Sequence, residues 1–79
     1  MINKILEIMS IADTILKVEG LDNDDKILLQ QVKTQMMDYS EKYNQYSPIH
    51  DDPYMSARVN HELDTILESL KKTIKENNL

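Results

Sequence analysis

Residues that break helices fall at only two places in this 79-residue chain: Gly20, and then Pro48 and Pro53 on a polar loop. Between these breaks, each segment carries helix-forming residues at helical spacing, so the breaks divide the chain into three helices. The expected fold is all-α, one helical domain over residues 1–79. A helix over 2–18 is followed by a long antiparallel helical hairpin, 23–45 and 53–76.

The first segment is the most apolar. Its polar residues Asn3, Glu7, Ser10, Thr14 and Lys17 form one narrow stripe, and isoleucine, leucine, methionine, valine and alanine occupy most of the remaining circumference. Such a helix has to be covered on more than one side. Two neighbouring helices of the same chain can do this, and so can another subunit. A small domain buries only about 60% of its unfolded surface, and with no cysteine it has no disulfide to support its core. Association is then a route to stability, with Ile5, Ile8, Ile11 and Ile15 as the expected oligomer face of a homo-oligomer.

Gly20 suits the left-handed position that closes a helix, and Leu21 is placed to fold back on the preceding turn. Asp22 is a candidate N-cap, and Asp24 and Asp25 put negative charge at the positive end of the next helix. This acidic cluster lacks the turn glycine and the bidentate glutamate of a calcium loop. The second helix has an inward seam at Leu29, Val32, Met36, Tyr39 and Tyr43, which Ile27, Leu28 and Met37 widen so that it touches both other helices. Tyr39, Tyr43, Tyr46 and Tyr54 cluster at its far end as fillers of one end of the bundle. Asp52 followed by Pro53 starts the third helix. Its stripe is Met55, Val59, Leu63, Ile66, Leu70 and Ile74 with Leu67 beside it, and Glu68 and Lys72 form an i,i+4 pair outside.

Fourteen acidic against nine basic residues give a net charge of −5. That balance is unsuited to nucleic acid, where lysine and arginine must replace counterions along the phosphates. Lys4, Glu7, Asp13 and Lys17 interrupt the apolar N-terminal stretch, so no membrane span is expected and the protein reads as soluble and cytoplasmic. No cofactor or metal site is expected: after His61-Glu62, the position where a zinc protease needs its second histidine holds Thr65. Nucleophilic catalysis has no cysteine, and no serine is arranged with a histidine and an acid. The expected function is binding a protein partner, which this chain regulates or inhibits. The expected partner-binding residues are Tyr46, His50, Asp51, Asp52, Tyr54, Arg58 and His61, in and after the proline-bounded loop.

The run Asn60-His61-Glu62-Leu63-Asp64, followed by Ile66 and Leu67, resembles the Ser-Gln-Glu-Leu-Asp signature of the sporulation stage-zero protein E family. Lys33 and Met36 are similar to a basic residue and a methionine on that family's first helix, so the resemblance covers residues 27–72. Those proteins are helical hairpins that dephosphorylate aspartyl-phosphate response regulators. The resemblance implies Asp64 as the residue inserted beside the phosphoryl-aspartate, with Glu62 next to it.

Overall fold

The computed structural model describes residues 1–44 and 46–77. It is all-helical: α1 (Ile2–Leu16), α2 (Asn23–Lys42) and α3 (Pro53–Glu76), with a 3-10 turn at Pro48–Asp51. A short corner joins α1 to α2, and an Asp13–Lys33 ion pair of 3.0 Å links them across their length. Lys4 pairs with Asp64 at 2.9 Å, and Ile74 lies beside Ile11 and Val18. Contacts therefore advance along α1 and α3 in the same direction, and α2 runs opposite to both.

The expected hairpin directions hold, but α1 is the helix that binds the other two together. It packs closely on α2 and on α3, whereas among the described residues no Cα of α2 comes within 8 Å of one in α3. This central position follows from its composition, since only α1 is apolar over enough of its surface to serve two neighbours. Ile5, Ile8, Ala12 and Ile15 are buried, against Leu29 and Met36 from α2 and Val59, Leu63, Leu67 and Leu70 from α3. Val32, Tyr39, Tyr43, Ile66 and Ile74 pack at the core's edge. Ile5, Ile8 and Ile15 thus belong to the chain's own interior and not to an oligomer face; of the four expected there, Ile11 alone is partly exposed.

Ile27, Leu28 and Met37 are more than half exposed, which corrects their expected role of contacting both other helices. The Lys72 ammonium also chooses differently, approaching Glu76 at 3.9 Å in place of Glu68.

Helix ends follow local chemistry. The regular part of α1 ends at Leu16, two residues before the expected boundary, because the final turn tightens: Lys17 N–H donates to Thr14 and Val18 N–H to Ile15. Gly20 then adopts φ +80, the conformation that glycine enters without the cost of a Cβ, and Leu21 is buried as it folds back. Asp22 stands at the N-cap of α2, but its carboxylate makes no capping hydrogen bond. Asp52 caps α3 through its side chain, accepting from Tyr54 N–H at 3.1 Å and Met55 N–H at 3.2 Å, with Pro53 at the first helical position. Asp52→Ala is expected to lower stability by about 1 kcal/mol, read as a shift in the urea midpoint, whereas Asp22→Ala, which removes no such bond, has a smaller effect.

Asp13 sits between Lys33 and Lys17. The hydrogen bond from Lys33, then the charges of Lys33 and Lys17, hold its carboxyl below the ordinary value of 3.8. A group whose folded pKa is depressed contributes stability above its unfolded pKa and loses it as pH falls through the folded one. Lys33→Met is therefore expected to flatten the acid side of the stability profile. Urea midpoints of the two proteins, measured from neutral pH downward, should converge once Asp13 is protonated.

Candidate functional site

The end of the bundle distal to the Gly20 corner is built by α2 running out and α3 starting. Asp64 lies level with Lys4 near the start of α1, so α3 begins eleven residues, about 16 Å, before that level. Nothing from α1 reaches that far, and the space falls to side chains from α2 and the loop. Tyr39 and Tyr43 meet edge to face with ring centroids 5.2 Å apart and pack against the core, as does Met1. Ile49 is buried beneath the loop.

The loop is held by its own polar groups. Asn44 follows the end of α2: its Nδ2 donates to the Glu41 carbonyl at 3.0 Å and its Oδ1 accepts from Tyr46 N–H at 2.9 Å. Its carbonyl oxygen lies 2.8 Å from His50 Nε2. A carbonyl only accepts, so Nε2 carries the proton in this arrangement. Ser47 Oγ accepts from Ile49 N–H, and Ser47 O accepts from His50 N–H, closing the 3-10 turn. Gln45, where the second helix was expected to end, lies outside the described residues. The helix has already ended at Lys42, since Tyr43 leaves helical geometry at φ −116, ψ 38.

These bonds frame a shallow pocket of about 330 Å³ lined by Lys42, Tyr43, Pro48, Ile49, Asp52 and Met55. The Lys42 ammonium lies 5.5 Å from the centre of the Tyr43 ring, a cation over an aromatic face. Tyr46 and Tyr54 are 84% and 71% exposed. His50 and Asp51 are also exposed, whereas Asp52, expected at the binding surface, uses its carboxylate to cap α3. Tyr54, Arg58 and His61 recur at intervals of four and three along one exposed stripe of α3. Five of the seven expected partner-binding residues therefore gather at this end, and Arg58 and His61 continue up the helix. Sequence reasoning placed Tyr43 at this end but did not identify Asn44 or Ile49 as builders of this surface. The available signal was a lone aliphatic residue, Ile49, in an otherwise polar loop.

Glu62 and Asp64 do not share a site. Leu63 is buried between them, and they lean to opposite sides of α3. Glu62 Oε1 accepts from the Tyr39 hydroxyl at 2.7 Å and from Gln35 Nε2 at 3.2 Å, joining α3 to α2. Burial, then the hydrogen bond to Glu62, pushes the Tyr39 phenol above its ordinary value, so it remains a donor. Asp64 is ion-paired with Lys4 of α1. Lys33 is engaged by Asp13, and Met36 is buried in the core. Glu62, Leu63, Asp64, Lys33 and Met36 thus each have a partner inside the fold, whereas His61 lies on the exposed stripe of α3. No protein-family model, curated protein or solved structure matches this chain.

A second concavity, a cleft of about 320 Å³ between α1 and α3, is lined by Ser10, Ile11, Thr14, Ile15, Val18 and Ile74. The Thr14 hydroxyl donates back to Ser10 O at 2.9 Å, so the cleft walls are largely apolar. No group of three or more histidines and acids among the described residues could hold a metal ion. No described helix is long and apolar enough to cross a membrane.

Proposed function

We propose that this protein acts by binding another protein, which it regulates or inhibits, through the loop end of the bundle. The observation that supports this reading is the pair Tyr46 and Tyr54, the most exposed large hydrophobic side chains among the described residues, on the loop and in the first turn of α3, where the side chains of Asn44, Ser47 and Asp52 accept hydrogen bonds from the backbone. Tyrosine offers a large contact area with little side-chain freedom to lose, and it is enriched among the residues that dominate binding energy. Described residues held by such hydrogen bonds have less freedom to lose, which lowers part of the entropy that association otherwise costs. The pocket walled by Tyr43, Ile49 and Met55 adds a recess for an apolar side chain of the partner.

With three of the four isoleucines of the expected oligomer face inside the fold, the proposed partner is a different protein. Affinity capture from the native cell, with the wild type and the Tyr46→Ala/Tyr54→Ala double variant as parallel baits, tests the reading. The wild type is expected to retain a protein that the variant loses. A hot-spot loss of about 2 kcal/mol or more corresponds to roughly 30-fold weaker binding. Unfolding midpoints of the two baits should agree, because neither ring is buried. Equal retention by both would overturn the loop end as the binding surface.

A further inference from the structure

We draw no further inference here: the strongest candidate, the apolar cleft between α1 and α3 walled by Ile11, Ile15, Val18 and Ile74, is an unpartnered helix face, and nothing in the structure shows what covers it.

Discussion

Leu63→Ala is expected to remove about 2–5 kcal/mol of stability, the range for deleting a fully enclosed leucine side chain. Leu63 is 0% exposed and lies on α3 where that helix packs against α1. A domain of this size has roughly 4–12 kcal/mol in total, so the variant should be partly unfolded or close to it at room temperature. Urea unfolding followed by helical circular dichroism would show a large fall in midpoint. Its neighbours supply the contrast. Glu62→Gln and Asp64→Asn alter surface contacts to Tyr39 and Lys4, and exposed charge pairs contribute about 1 kcal/mol or less. A Leu63 loss no larger than the Asp64 loss would mean that Leu63 is not the interior member of the Glu-Leu-Asp run.

Ile8→Asp separates the two ways of covering α1. Ile8 is fully enclosed by the chain itself, among side chains none of which is polar and buried. An unpaired carboxylate taken into such a site costs several kcal/mol, enough to leave most molecules unfolded at any protein concentration. Sedimentation and circular dichroism should then report an expanded monomer with little helix. Had Ile8 faced a second subunit, the same substitution would give a folded monomer with native helix content. Leu6→Asp serves as the control on the same helix: Leu6 is more than half exposed, and substitutions at such positions usually stay within about 0.5 kcal/mol.

Much of the fold was legible in the sequence because its signals are local. Asp52-Pro53 starts α3 as expected, since a capping carboxylate and a residue with fixed φ act within one turn. The inward stripe of α3 reads correctly at Val59, Leu63 and Leu70, whereas Leu67, expected beside it, is buried and Met55, expected on it, is exposed. The four tyrosines show where such reasoning stops. As letters they form one aromatic cluster, but Tyr39 and Tyr43 fall on the inward seam of α2 with Met36, while Tyr46 follows the helix end and Tyr54 lies on the outer stripe of α3. Whether each is packed or exposed depends on where α2 stops, at Lys42, and on which side of α3 Tyr54 falls.

The candidate site was legible in its outline. The proline-bounded loop and its exposed residues could be chosen from polarity alone, but the floor of the site could not. Ile49 and Met55 meet Tyr43 only because α3 extends beyond the start of α1 and the loop folds into the space left there. That overhang follows from the register of Lys4 against Asp64, a relation between residues far apart in the chain.

The sequence by itself determined three helices, the corner at Gly20 and the start of α3 at Asp52-Pro53, because propensity, periodicity and capping act over a few residues. Tertiary structure decided that Ile5, Ile8 and Ile15 face the chain's own interior, and that Glu62 and Asp64 point to different neighbours. Those outcomes depend on which apolar face meets which, and a face wide enough for two partners does not specify in its own residues whether they belong to the same chain.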